Sequence, residues 1–343
     1  MTTTTTATRG NGTQTKTTAP TRQPRMTLAS ICKTPRSDPM RILLYSVEKG
    51  GKTTFAAHAP APIFICPEDG IPPGLGAVSH FPAPADGWTW QDARDAVRAL
   101  TTGEHSYKTL VVDTVDWLEP LLWRDICEKA NVATLEEVGG GYGKGFTAAV
   151  DGWRCFLSDL EQLRKARGMH VVLLAHSWIK NFKDPESEGW DRYILKTNEK
   201  AAGVLKEWVD AVLFAKFEEF ANKDARTKRV RGISSGERVI YTTRSAAYDA
   251  GNRYSLPDRI PLDWDAFEEA VKAGRPADPA ALRAAISEAI ADIALNPNVD
   301  VADIALKVNA SVIAAGEDAA ELSRIHNKLA AMVSQKEEVS NVG

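Results

Sequence analysis

Short, wholly apolar runs alternate with amphipathic stretches along the first two thirds of the chain. Ile42-Leu43-Leu44-Tyr45, Ile63-Phe64-Ile65-Cys66, Thr109-Leu110-Val111-Val112-Asp113 and His170-Val171-Val172-Leu173-Leu174-Ala175 each read as a strand. Between them the spacing predicts helices from about Trp90 to Leu100 and from Glu119 to Ala130, and a long helix with Trp153, Phe156, Leu160 and Leu163 on one face. A strand that is apolar at every position has no solvent face, so these strands belong to a parallel sheet covered by helices on both sides. The expected class is therefore α/β, with ligands at the carboxyl ends of the strands.

Ala211-Val212-Leu213-Phe214-Ala215 and the pair around Val230 and Arg238-Val239-Ile240-Tyr241 read as further strands, the last two joined through Ser234-Ser235-Gly236 as a hairpin. They extend the sheet in antiparallel fashion. From Pro276 the chain turns Ala-rich, and Leu282, Ile286, Ile290 and Ile293, then Leu322, Ile325, Leu329 and Met332, fall at helical spacing. The expected division is a Thr-rich tail over 1–25, a core over 26–272 and a small helical C-terminal module over 273–343. The tail holds eleven Thr, four basic residues and no acid, too little apolar surface to fold. An acid-free leader containing Arg also fits a transit peptide, but the segment has no amphipathic stripe, and Met26 offers an alternative start.

At 343 residues with 43% hydrophobic content the chain is long enough to bury a substantial core. A net charge of -3 supplies no global basic field, so a nucleic-acid partner must be held by local patches. The four cysteines show no C-x-x-C spacing, and no apolar run approaches the length of a bilayer. A reduced, cytoplasmic protein without a membrane partner is expected.

The densest chemistry lies in Ser46-Val47-Glu48-Lys49-Gly50-Gly51-Lys52-Thr53-Thr54, between the first strand and the helix that follows it. A strand that ends in a Gly-rich turn and restarts as a helix points backbone N–H groups into one concavity, where polyphosphate oxygens replace the missing intrahelical partners. In a phosphate loop of this kind Lys52 reaches the terminal phosphates of ATP and Thr53 holds Mg2+. Ser46 stands where the usual pattern begins with Gly. Asp113 closes a strand at the same sheet edge and is the second candidate for the metal. Glu68 follows another strand end and is either a general base for the attacking water or a solvated loop acid beside Asp69. His176 follows the fourth strand and is either a sensor of the γ-phosphate or a structural histidine. Arg253, after the last hairpin strand, is an arginine finger for a neighbouring subunit's ATP if the protein is an oligomer.

With these residues the chain resembles the RecA-like branch of P-loop ATPases, most closely the phage-encoded nucleotide-binding proteins grouped with single-strand annealing recombinases. The resemblance spans about Thr27 to Ala270 and rests on Arg41-Ile42-Leu43-Leu44-Tyr45, Leu173-Leu174-Ala175-His176-Ser177, Ala211-Val212-Leu213-Phe214-Ala215 and Tyr241-Thr242-Thr243-Arg244-Ser245-Ala246-Ala247-Tyr248-Asp249. It implies that Glu68 is the catalytic glutamate, His176 the polar sensor, and Arg253 the arginine of a Lys-x-Arg pair acting between subunits. Gly251 occupies the lysine's place, which implies weak activation between subunits and slow hydrolysis.

The resemblance also implies two DNA-binding loops, here Gly139 to Phe146 and roughly Ile179 to Asn198. The first carries Tyr142, Lys144 and Phe146, suited to stacking a base beside a phosphate, and fits a nucleotide lid or an idle linker as well. The second holds Lys180, Lys183, Trp190, Arg192, Tyr193 and Lys196, interrupted by four acids. Lys223, Arg226, Lys228, Arg229 and Arg231 form a basic cluster that is either a DNA contact or a solvated hairpin tip. The expected function is an ATP-dependent protein that binds single-stranded DNA in phage recombination, annealing or repair, working as a homo-oligomer, filament or ring. The alternative is a nucleotide-gated module with little hydrolysis, whose C-terminal helices recruit a replication or recombination protein. A ring-shaped helicase motor lacks a separate helicase-specific domain here.

Overall fold

A computed structural model describes residues 39–182, 189–223, 230–274, 279–294 and 301–316, with a few isolated residues besides. Two compact units are distinguished, Met1–Ser37 and Asp38–Gly343, and the sheet and its helices lie in the second. The expected Thr-rich tail, 1–25, lies outside the described residues.

Strands β1 (Arg41–Ser46), β2 (Pro62–Ile65), β3 (Thr109–Asp113), β4 (His170–Phe182) and β6 (Ala211–Lys223) pair in parallel in the order β2-β3-β4-β1-β6. The sheet continues in antiparallel sense through β7 (Val230–Tyr241) and β9 (Arg259–Pro261), while β5 (Trp190–Leu195) pairs with β4 and β8 (Gly251–Asn252) with β6. The expected α/β class, mostly parallel and flanked by helices, is borne out.

The apolar strands are apolar because they serve two cores. Leu43 and Tyr45 of β1, Leu110 and Val112 of β3, and Val171 and Leu173 of β4 face one layer, built with α2 (Trp90–Thr102), α3 (Val115–Ala130), α4 (Lys144–Arg167) and α5 (Glu199–Trp208). Their neighbours Ile42, Leu44, Val111, Val172 and Leu174 face the other, built with α1 (Lys52–Ala57) and α6 (Trp264–Gly274). Side chains alternate faces along a strand, so each strand needs an apolar residue at every position. Trp153, Phe156, Leu160 and Leu163 of α4 are buried in the first layer, as their spacing predicts.

Three elements differ from expectation. Helix α3 begins at Val115 rather than near Glu119, because Pro120 is accommodated inside the helix instead of opening it. Ser234-Ser235-Gly236 is not a hairpin turn: it lies within β7, where the register with β6 slips between Phe217 and Glu219. Gly236, at φ 78, lets the strand absorb the extra residues as a bulge. The antiparallel ladder instead runs out to Lys223 of β6 opposite Val230 of β7. The stretch from Ile179 to Asn198 is likewise no open loop. Ile179–Phe182 pairs with Trp190–Tyr193 as an antiparallel ladder.

The C-terminal region forms α7 (Pro279–Ala294) and α8 (Val301–Ala315), and Leu282, Ile286 and Ile293 pack with Leu322, Ile325 and Leu329 in an apolar cluster of their own. Met332 lies outside the described residues. Among the described residues no helix is long and apolar enough to cross a membrane.

Helix α3 is tied to the turn before α5 by Glu119, whose carboxylate accepts from the Asn198 N–H at 2.9 and 3.1 Å. Burial pushes this carboxyl from 4.5 up to about 7. Between those values the folded chain holds a proton that the unfolded chain has released, so the contribution favours folding at low pH and is lost as pH rises through about 7. Glu119→Gln keeps an acceptor and removes the titration. Chemical denaturation of both proteins between about pH 5 and about pH 8 should show the wild type losing a few kcal/mol relative to the variant; parallel pH profiles contradict this account of Glu119.

Candidate functional site

Parallel pairing decides what meets at the carboxyl edge. Ser46 is level with His176, and Asp113 with Leu174, so the segments that leave β1, β3 and β4 emerge side by side. β2, paired with β3 in the same direction, delivers Glu68 just beyond its end.

Val47 to Gly51 form the turn, with Lys49 at φ 59 and Gly51 at φ 100, and α1 starts at Lys52. Lys52 is buried, and its ammonium donates to Ser46 Oγ and to the Val47 carbonyl, both at 3.2 Å. Ser46 therefore contributes a hydroxyl to the interior of the loop. The same hydroxyl explains Gly50: a Cβ there would run into Ser46 Oγ. Burial lowers the Lys52 pKa, while Asp113, Asp116, Glu68 and Glu48 pull the other way. Of these, Glu48 is paired with Lys196 and Asp116 with His176, which leaves Asp113 and Glu68 as the acids nearest Lys52 without a basic partner of their own among the described residues.

Thr53 Oγ1 donates to Asp113 Oδ2 at 2.7 Å. Asp113 is buried, and burial pushes its carboxyl up to about 6. The sequence-based pair for Mg2+, Thr53 and Asp113, is thus in contact. A hydroxyl and a carboxylate side by side are oxygen donors of the kind a hard cation takes. The glycine-floored turn and buried lysine next to them fit a polyphosphate. Glu68 is half-buried and close enough to influence both Lys52 and Asp113.

His176 is buried, and its backbone N–H donates to Asp116 Oδ1 while Nδ1 lies 2.9 Å from Asp116 Oδ2. Burial opposes the charge on Asp116, but the bonds from His176 and Thr114 hold its carboxyl below the usual range. A charged carboxylate only accepts, so Nδ1 carries the proton and Nε2 is left to face a further partner. Asp116 was missed by sequence reasoning, as was Glu119. Their signal is Asp113-x-x-Asp116-x-x-Glu119, acids at steps of three from a strand end along one face of a helix.

Arg253 is not brought to the loop. It follows β8, whose Asn252 pairs with Ala211, itself level with Ile42 at the start of β1. That is the opposite edge, about 13 Å along the strand from Ser46. There Arg253 lies 3.3 Å from Asp210, which also accepts from Arg41.

Of the DNA-contact candidates, Arg192 is withdrawn: it is buried and bonds to Asp249 and the Tyr248 carbonyl. Tyr142 is fully exposed at φ 57. Lys144 opens α4 and donates to the Gly139 carbonyl at 2.8 Å. Phe146 stands edge-on to Trp123 with ring centres 6.0 Å apart. Lys180 is exposed and paired with Glu199. Lys183, Arg226, Lys228 and Arg229 lie outside the described residues, and Lys223 and Arg231 are described only as strand backbone. A groove of about 530 Å³ opens between α3, α4, β4 and the start of α5, lined by Trp123, Phe146 and Trp178, by Lys180, Lys196 and Lys200, and by the acids Glu119 and Glu199.

A family model described as an AAA domain matches residues 38–254, well over half of the chain and the whole span from β1 to β8. No curated protein matches it. With that match beside the sheet order and the loop between β1 and α1, the chain belongs to the AAA domain family, and its α/β core is that of a P-loop, nucleotide-binding ATPase.

Proposed function

We propose that the protein is a RecA-like, Mg2+-dependent ATPase that binds single-stranded DNA in phage recombination, annealing or repair, acting as a homo-oligomer. The observation that carries the ATPase half is the meeting of Lys52, Thr53, Asp113 and Glu68 at one sheet edge. Lys52 exchanges its bonds to Ser46 and Val47 for terminal phosphate oxygens, and the loop N–H groups hold the remainder of the chain of phosphates. Thr53 and Asp113 would hold Mg2+, which would supply positive charge to the phosphates. Glu68 accepts the proton of the attacking water, a role supported by its position just beyond β2 and within electrostatic reach of Lys52. His176, with Nδ1 committed to Asp116, offers Nε2 toward the phosphate, donating when the ring is charged.

The DNA half is supported by the groove. Half-exposed Trp178, with Trp123 and Phe146, provides ring faces, and Lys180, Lys196 and Lys200 provide charge beside them. Rings interleaved with cations suit a single strand, whose bases stack while its phosphates pair. Trp178 is two residues beyond His176 on the same strand, so the nucleotide edge and the groove share β4. Arg253, exposed and remote from its own loop, reaches a phosphate only in another copy of the chain.

The second reading, a nucleotide-gated module with little turnover, is favoured by α7 and α8 having an apolar core of their own, with Leu306 and Ile313 left exposed on α8 where a replication or recombination protein could engage them.

Three outcomes are expected. Lys52→Ala abolishes ATP turnover, and Glu68→Gln lowers it by roughly a hundredfold or more while nucleotide binding persists; wild-type steady-state rates in either variant contradict the site. Single-stranded DNA stimulates turnover in the wild type, and Trp178→Ala weakens DNA binding by about tenfold or more in fluorescence anisotropy, with ATP affinity unchanged. Arg253→Ala removes the DNA-stimulated part of turnover and leaves nucleotide affinity intact; full stimulation in that variant excludes a role between subunits.

A further inference from the structure

The phosphate loop has a second flank that sequence reasoning left out. A Cβ at Gly51 would lie 3.0 Å from Arg238 Nη1 and 3.1 Å from Leu262 Cδ2. Arg238 belongs to β7 and Leu262 follows β9, and the Leu262 N–H donates to the Arg238 carbonyl at 2.9 Å. The antiparallel extension thus delivers one guanidinium and one apolar side chain to the end of the loop. The guanidinium lies 5.0 Å from the centre of the Phe217 ring, within cation–π range. Arg238 is exposed, and among the described residues no carboxylate pairs with it.

Sheet order gives the direction in which a nucleotide must lie. Asp113 and Glu68 follow β3 and β2, on one side of β1, and β6, β7 and β9 stand on the other side. On the phosphate-loop reading the terminal phosphates lie near Lys52, Thr53 and Asp113, which the structure brings together. The α-phosphate and the nucleoside then run the opposite way, past Gly51 toward β7 and β9. Arg238 and Leu262 wait there, a cation that no acid pairs among the described residues beside an apolar wall, which matches a phosphate joined to a base.

We infer that Arg238 and Leu262 form the nucleoside end of the site, with Arg238 contacting the α-phosphate side of the bound nucleotide in cis and Leu262 walling the base. This rests on the phosphate-loop reading above. Its consequence differs from that of a residue at the γ-phosphate: Arg238 acts equally on ADP and ATP.

The test uses the full-length protein, titrated calorimetrically with ADP and with ATP in the presence of Mg2+. Arg238→Met keeps a stem against Phe217 and Gly51 and removes the charge. It should weaken both nucleotides by roughly ten- to a hundredfold, leaving the ratio of the two affinities and the melting temperature of the nucleotide-free protein as in the wild type. Arg238→Gln repeats the measurement should the Met variant fail to fold. Unchanged affinity for both nucleotides overturns the inference, and so does a loss confined to ATP, which puts Arg238 at the γ-phosphate. Lys52→Ala separates the two levels of the argument: loss of binding there with wild-type binding in the Arg238 variants removes this inference alone, whereas a wild-type protein that binds neither nucleotide removes the loop reading and this inference together.

Discussion

A strand with both faces buried can carry polar chemistry only at its ends, and this constraint organises the molecule. β1, β3 and the first half of β4, as far as Ala175, alternate their residues between two apolar layers, so nothing along that length is free to hold a ligand. Their common direction then sends Ser46, Asp113 and His176 out at one edge. The site is assembled by the same pairing that buries the core, and moving it means changing the sheet. Arg253 shows the converse: delivered by an antiparallel strand, it emerges at the far edge.

At that edge the polar groups satisfy one another. Lys52 spends its ammonium on Ser46 and Val47, Thr53 its hydroxyl on Asp113, and Asp116 both oxygens on His176. On the proposed reading the bonds of Lys52 and Thr53 give way to phosphate and metal as charge-assisted partners, while those between Asp116 and His176 stay. Asp113 is pushed up to about 6 because burial outweighs the bond from Thr53 and the nearby charge of Lys52. Asp116 is well supplied, and its carboxyl goes the other way. The two acids, three residues apart, are separated in character by their partners rather than by their type.

Much of this was legible in the sequence because it depends on local pattern. Apolar runs of strand length bounded by Gly or Asp gave the sheet, and Gly50-Gly51-Lys52-Thr53 gave the loop. What escaped depends on contacts between distant segments. Arg192 has the composition of a DNA contact, and only the folded chain shows that Asp249 claims it. Ser234-Ser235-Gly236 has the composition of a turn, and only the ladder with β6 shows that it is a bulge. Arg238 and Gly51 are neighbours because β9 backs β7, a relation that no spacing along the chain records.

On the proposed reading, the link between nucleotide and DNA is short enough to name. β4 carries His176 at the level of the loop, and Trp178 and Lys180 at the groove two and four residues on. Asp116 holds His176 by both its backbone and its ring, so α3 and β4 move together there. Glu119, one turn further along α3, holds the Asn198 N–H beside the same groove. A ligand shifts an equilibrium only by contacting two states differently, and the group positioned to do so is His176. Its free nitrogen meets a γ-phosphate in one nucleotide state and not in the other, while its bond to Asp116 passes that difference to both walls of the groove.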